Sequence, residues 1–461
     1  MTQWRPDPAR LRRPAYLSLA DQFARAIADG LLPSGAKLRP HRDLAYELGL
    51  SVQTVSRAYN DLIRRGLIAG KVGSGSFVLP PAGDSNPPYI ADRSSEVIDL
   101  SILKPVSDDH HIALMRDGLH WVADNLSASS ALSFRPSSVL PHHRHVAAGW
   151  LKRSGIEVAP DNIVITDGAT SAITTAVMSA VPCGATLAAP ALTHHLLMPL
   201  CKYLGLHLEG LACDSDGILP DALDMAAEKG LVRAVYTQPT AINPRANVTS
   251  LARRRDIVDI ARRHDLFIVE NDILGDVVVD APTPYAMLAP ERVFHIRGFT
   301  KVALPGLRLA YLSAPERAAA VAANRHLVTS WMATPLMVEL LSHWIEDGTL
   351  PGLVAWQREA LQRRHALAQA ILTGLDFSAH PQGLHVWLNL PEGVDEDQFV
   401  AQARVHGVAI ASGQAFRVND HQRRNAVRIA LGTKREDDLQ RGLGLVRDLL
   451  RSSPEPLLPL L

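Results

Sequence analysis

A chain of 461 residues is about three times the length of an average domain, so two or three folding units are expected. With 47% hydrophobic and 20% charged residues it is too apolar to be disordered, and its longest apolar stretches, such as 172–192, are interrupted by Pro and Gly, which excludes an obvious membrane span. The net charge is zero, yet residues 1–80 hold 12 Lys+Arg against 6 Asp+Glu and the remainder 35 against 41, so a basic head that suits a polyanion precedes an acidic body. The three cysteines, Cys183, Cys201 and Cys213, show no paired spacing. That disfavours disulfides and zinc, and with no signal-peptide pattern at the start it fits a reducing cytoplasm.

In the head, Leu19, Phe23 and Ile27 predict a helix over Ser18–Asp29 that stops at Gly30. His41–Leu48 reads as a short helix closed by Gly49. Ser51 is the expected N-cap of a third, whose stripe Val55, Ala58, Tyr59, Leu62 and Ile63 ends at Gly66. Leu67–Lys71 and Ser76–Val78 flank a Gly-rich tip and predict a hairpin. A short helix, a tight turn and a helix with polar N-terminal residues is the geometry that enters a major groove. Ser51, Gln53 and Thr54 are small enough to reach base edges there, while Arg39, Arg42 and Arg57 suit phosphates or guanine, and Gly73 allows close backbone approach. A helical dimerisation cap is the blander alternative.

The series Gly30-x-Leu32-Pro33-x-Gly35-x-x-Leu38, Arg42-x-Leu44-Ala45-x-x-Leu48-Gly49-x-Ser51-x-x-Thr54-Val55 and Gly73-Ser74-Gly75-Ser76-Phe77-Val78 resembles a GntR-type winged helix-turn-helix over 16–78. The resemblance implies Arg42, Thr54 and Arg57 as the main contacts to double-stranded operator DNA. The family usually has Leu-Pro-Ser-Ser-Arg before the second helix. Here it is Leu38-Arg39-Pro40-His41-Arg42, so that helix is capped differently. Residues 79–98, with prolines at 80, 81, 87 and 88, read as a semi-rigid linker between a domain at 1–78 and a body at 99–461.

The body alternates short apolar strands (Ile163–Thr166, Thr186–Ala189, Ala234–Gln238, Leu266–Glu270, Val293–Ile296, Leu309–Ser313) with helices such as Leu251–Arg263, which predicts an α/β sheet covered on both faces. A large lobe over about 140–320 and a smaller α+β lobe over about 330–461, with strands at 384–390 and 426–431, complete the expectation. The turn Thr166-Asp167-Gly168-Ala169-Thr170-Ser171 follows a strand and opens a helix whose N–H groups can hold a phosphate. Lys301, in an apolar loop seven residues before Arg308, has the setting of a Schiff-base lysine, and Arg308 that of a phosphate clamp. Asn243, just after a strand, can face a phenolic oxygen. Arg428, flanked by apolar strand residues, needs an anion: a carboxylate of a ligand or a structural Asp or Glu.

In this order and spacing the features are similar to the fold type I, pyridoxal 5′-phosphate-dependent aminotransferases, and the whole chain resembles the MocR subfamily of GntR regulators over roughly 16–450. The resemblance implies Lys301 as the Schiff-base lysine, Gly168, Ala169, Thr170 and Arg308 as phosphate ligands, Asn243 at the ring oxygen, Arg428 as the anchor of an amino-compound effector, and a homodimer. Departures follow the same alignment. Asn271 stands where the family has the Asp that holds the pyridine nitrogen, Leu274 where it has a tyrosine, His194 where an aromatic ring stacks, and Phe134 where a tyrosine reaches the partner subunit's phosphate. Gly298 and the run Asn243-Pro244-Arg245-Ala246 depart from a serine and from Asn-Pro-Thr-Gly. An amide cannot keep the ring nitrogen protonated, so a regulator that retains aldehyde capture but has weakened carbanion chemistry is expected, the alternative being a working aminotransferase with an accessory head. The paired histidines, among them His142-His143 and His194-His195, lack metal-ligand spacing.

Overall fold

The computed structural model describes residues 4–451 apart from 9–10, 13, 29–30, 34, 65–66, 72–74, 79–96, 133, 135–140 and 419–424. Gly30, Gly66, Gly73, most of the Pro-rich linker and residues 452–461 lie outside the described residues. The chain divides into two compact units, Met1–Arg93 and Ser94–Leu461.

The first unit has helices α1 (Ala15–Ala28), α2 (His41–Leu48) and α3 (Val52–Arg64), followed by an antiparallel hairpin of β1 (Ile68–Lys71) and β2 (Gly75–Val78). Leu19, Phe23, Leu44, Val55, Tyr59 and Leu62 form its core, so the apolar stripe on α3 folds inward as its spacing dictates. Gly49 ends α2 in the left-handed conformation with φ 64°, which costs glycine little. Ser51 then caps α3, its Oγ accepting from the Thr54 N–H at 3.1 Å. Residues 36–38 form an isolated antiparallel bridge to the hairpin, through Leu38 N–H to Ser76 O and Val78 N–H to Ala36 O. Pro40 stands at the N-cap of α2 without a side-chain hydrogen bond, and the buried Tyr59 hydroxyl fixes that corner by donating to Arg39 O at 2.9 Å.

The second unit is built on a seven-stranded sheet, in spatial order Ile163–Thr166, Ala310–Ser313, Val293–Gly298, Phe267–Asn271, Val232–Thr237, Thr186–Pro190 and His207–Leu211. Only Ala310–Ser313 runs antiparallel to its neighbours. All six predicted strands agree within two residues at each end. His207–Leu211, at the sheet edge, carries too little apolar alternation to announce itself. Alternation along the strands divides two cores. Leu187, Ala189, Tyr236, Val269 and Ile296 pack under Ala169–Ala180 and Glu316–Ser330, whereas Ala188, Val235, Ile268 and Val293 pack under Leu251–Arg263 and its neighbours. The helix Pro335–Glu346 and the first half of Thr349–Ile371 join that second core. The second half of the long helix joins Glu396–Val405 and Glu436–Arg451 over a four-stranded sheet ordered Phe377–Ala379, His385–Asn389, Ala426–Ala430 and Ala411–Ser412. Residues Ile98–Asp99 pair in parallel with Val408–Ala409.

Candidate functional site

The carboxyl ends of the parallel strands are where an open α/β sheet binds ligands, and the predicted residues gather there. Lys301 follows the strand Val293–Gly298. Burial, then the cations Arg428 and Arg308, hold its amine down at about 8, and its Nζ donates to the backbone carbonyl of Leu103. Arg308, in the left-handed conformation with φ 48°, brings its guanidinium against Gly168: a Cβ on that glycine would stand 3.5 Å from Arg308 Nη2. Gly168, with φ 86°, caps Ala169–Ala180 without any side chain, so Ala169 and Thr170 present their first-turn N–H groups beside Arg308.

Arg428 is 3% exposed and lies on Ala426–Ala430. Its Nη1 donates to Asn243 Oδ1 at 3.0 Å, its Nη2 to Ser101 O at 2.6 Å, and its guanidinium covers the Phe416 ring at 4.7 Å. The sequence reading allowed a structural Asp or Glu partner. Every partner described is instead neutral, and burial pushes this arginine down to about 9. Asn243 precedes a cis Pro244, and the Pro244 carbonyl bonds His385 Nε2 at 2.8 Å. The His194 and His195 rings lie tilted by 35° at 4.6 Å between centroids, and both feel Arg428 and Lys301. Burial and those two cations push the imidazoles to about 3 and 4, so both are neutral at pH 7.

Asn271 ends Phe267–Asn271 on the Tyr236 face, its Nδ2 donating to the Tyr236 hydroxyl at 2.8 Å while Oδ1 has no partner. The neighbouring carboxylate does not share that face. Asp272 points to the other face, as strand alternation requires, where Arg297 at 3.3 Å and His295 at 3.5 Å neutralise it. Arg297 also pairs with Asp276 at 3.1 Å, so the cation behind the strand already serves two carboxylates. Leu274 is a core residue. A Cβ on Gly298 would stand 3.3 Å from both Ala169 and Ile273, so any side chain there needs those neighbours to give way. Ala246 keeps the positive φ, 62°, that glycine would adopt freely, at a cost of about 1 kcal/mol. Phe134 is 79% exposed and tilts against Trp331 at 5.6 Å. Residue reading missed Ser101, Leu103, His195 and Phe416; the first two act through backbone carbonyls, which carry no sequence signal.

On the head, Arg42 and Gln53 are exposed on α2 and α3. Arg57 is exposed too, its guanidinium held over the Tyr16 ring at 4.4 Å. Arg39 is ion-paired with Glu47, which also takes Arg5 at 3.1 Å, so any phosphate it meets must compete with a carboxylate. Ser51 and Thr54 hydrogen-bond each other at 2.8 Å at the start of α3. Among the described residues no group of three His, Cys, Asp or Glu is placed to hold a metal, and no helix is long and apolar enough to cross a membrane.

The sequence model for aminotransferase class I and II matches residues 95–443, and that for bacterial regulatory proteins of the gntR family matches 15–78. The chain is 27% identical over 450 residues to the uncharacterized HTH-type transcriptional regulator YdeF of Bacillus subtilis, covering 97% of this chain and 96% of that one. It is 25% identical over 476 residues to the HTH-type transcriptional regulator TauR of Rhodobacter capsulatus, covering 94% and 97%. The solved structures of an archaeal alanine:glyoxylate aminotransferase (TM-score 0.70, 22% identity, 77% of this chain and 91% of that one) and of a Pyrococcus horikoshii kynurenine aminotransferase (TM-score 0.71, 20% identity, 78% and 91%) share the fold of the body.

Proposed function

Since this chain belongs to the aminotransferase class I and II family and carries a gntR-family domain ahead of that fold, we propose that it is a MocR-type, cytoplasmic transcription regulator whose head binds operator DNA and whose body captures pyridoxal 5′-phosphate and reads an amino compound. The family of the body normally binds that cofactor. One observation carries the reading: two buried cations, Lys301 and Arg428, lie close enough to depress the lysine, and no described carboxylate pairs with either. A site of that kind is completed by an anionic ligand.

The residues fit the cofactor in three places. Arg308 and the N–H groups after Gly168 form a cradle for a phosphate, the Asn271 Oδ1 without a partner would be free for a polar ring atom, and Lys301 is an amine with a large neutral fraction near pH 8. When bound, the cofactor supplies an aldehyde that condenses with a primary amine. Lys301 provides that amine, His194 lays a neutral ring against the site, and Asn243 holds Arg428 ready for a carboxylate. Asn271 in place of an acid, with Asp272 spent on Arg297, disfavours turnover and favours sensing. A homodimer is part of the proposal, supported by the exposed Phe134 and Trp331 pair in the region that meets the second subunit in this fold.

Reconstitution with pyridoxal phosphate, borohydride reduction and peptide mass mapping test the reading. A single adduct at Lys301 and an operator affinity that changes on adding amino compounds are expected. A tag elsewhere, or none, overturns it. In the head, Arg42→Ala and Arg57→Ala are each expected to weaken operator binding roughly tenfold, and the variant that removes a phosphate contact lowers the salt slope by about 0.9. Unchanged affinity in both variants moves the recognition surface elsewhere.

A further inference from the structure

Both cations of the site are tied to one short piece of chain. Arg428 donates to the carbonyl of Ser101 and Lys301 to that of Leu103, two residues apart. The piece begins in the small-lobe core, where Leu100 is fully buried and Ile98–Asp99 pairs with Val408–Ala409, and it ends in the large-lobe core at Val106. Asp99 shapes its turn by accepting from the Ser101 N–H at 2.9 Å and the Ser101 hydroxyl at 2.6 Å. Gly432 lets it lie close: a Cβ there would stand 1.9 Å from the Lys104 carbonyl oxygen.

We propose that residues 98–106 form a strap held down by Lys301 and Arg428 while neither has a ligand, and that ligand capture releases it and so passes the signal toward the head. The proposal rests on the reading that Lys301 captures an aldehyde. Condensation of the amine with the aldehyde forms a C=N double bond and expels one water, made from the aldehyde oxygen and two hydrogens from nitrogen. The nitrogen keeps at most one proton, fixed in the plane of the new double bond, and can no longer serve Leu103 O in the same direction. A ligand carboxylate, a stronger acceptor than a carbonyl, likewise draws Arg428 from Ser101 O. Two chemical events thus act on the same three residues. In sequence the strap is the first part of the second unit after residues 79–96, so it is the described part of the body nearest in sequence to the DNA-binding head.

Hydrogen exchange on the full-length protein, read in peptides covering 98–106, tests this with and without pyridoxal phosphate, with the adduct verified by borohydride mapping in the same samples. Adduct formation is expected to speed exchange at Leu100 and the residues after it by about tenfold or more. An adduct at Lys301 with unchanged exchange overturns the strap while leaving the cofactor reading intact. Absence of the adduct overturns the cofactor reading, and the strap is then judged on Gly432→Ala, which touches neither cation and wedges against Lys104. In the cofactor-free protein Gly432→Ala is expected to speed exchange in the strap and to shift operator affinity at least threefold. Faster exchange with unchanged operator affinity overturns the proposal. Should that variant not fold, Gly442→Ala presses on the same strap from the helix Glu436–Arg451, where its Cβ would lie 2.8 Å from Leu100 Cδ1, and the same two readouts decide.

Discussion

Replacing Lys301 by Met is expected to abolish the borohydride-reducible adduct and, in the cofactor-free protein, to stabilise the body at pH 7 by about 2 kcal/mol. The amine is held at about 8 against an ordinary 10.5, first by burial and then by Arg428 and Arg308. A shift of that size costs about 3 kcal/mol whenever the folded chain carries the charge, and loss of the hydrogen bond to Leu103 O returns roughly 1 kcal/mol. The sign is set by which state holds the proton. Below pH 8 the lysine is charged both folded and unfolded, so wild type bears the full penalty. Between pH 8 and 10.5 the unfolded chain binds a proton that the folded one has lost, and the stability of wild type rises with pH. The advantage of the Met variant is therefore largest below pH 8 and gone by pH 10.5. Urea denaturation across that range reads it directly; a Met variant less stable than wild type at pH 6 to 7 refutes the buried cation. The same depression gives Lys301 about 300 times the neutral fraction of an ordinary lysine at pH 7, so its capture of the aldehyde is expected to rise to a plateau just above pH 8.

The parts of this molecule legible in the sequence are those in which one residue type does one local job. Ser51 capping α3, Gly49 ending α2, and the turn at Gly168 opening a helix all follow from backbone preferences that tertiary contacts did not override. The strand pattern was equally open, because a sheet buried on both faces needs continuous apolar runs. What stayed hidden depends on where the chain returns in space. Arg428 is chemically ambiguous as a residue: only the fold shows that its partners are an amide oxygen, a carbonyl and a ring, leaving the charge without a counter-ion. Arg39 had the composition of a phosphate contact and is paired with Glu47, a consequence of how α2 lies against its own leading turn. The two faces of Phe267–Asn271 could be argued from periodicity alone. The occupant of the far face could not, since Arg297 arrives from a strand 26 positions further along and completes the pairing of Asp272.

That division of faces makes Asn271→Asp the most informative substitution. Asn271 is 2% exposed, bonds only to the Tyr236 hydroxyl, and leaves its own oxygen without a partner. An aspartate there is buried with no cation on its face, because Arg297 lies behind the strand with Asp272. Its acidity must then fall, and the cofactor-free variant is expected to lose stability as pH rises above about 4, by about 1.4 kcal/mol for each pH unit until the folded-state value is reached. At pH 7 the deficit is expected to be about 3 kcal/mol. A ring nitrogen that takes up a proton beside it supplies the missing counter-charge, so pyridoxal phosphate is expected to rescue the variant more than it helps wild type, by a margin that grows with pH. The carboxylate also keeps that nitrogen protonated, which is the electronic condition for withdrawing charge into the ring. Amino-group transfer to a keto acid, measured by coupled assay, is accordingly expected to rise at least tenfold over wild type, about 1.4 kcal/mol of barrier. A variant that forms its Lys301 adduct and shows the pH-dependent loss of stability without any gain in transfer would place Asn271 away from the ring nitrogen. A variant showing neither effect would mean that the buried position accommodates a carboxylate without the ring nitrogen, and that the shift from catalysis to sensing resides in other residues of the site.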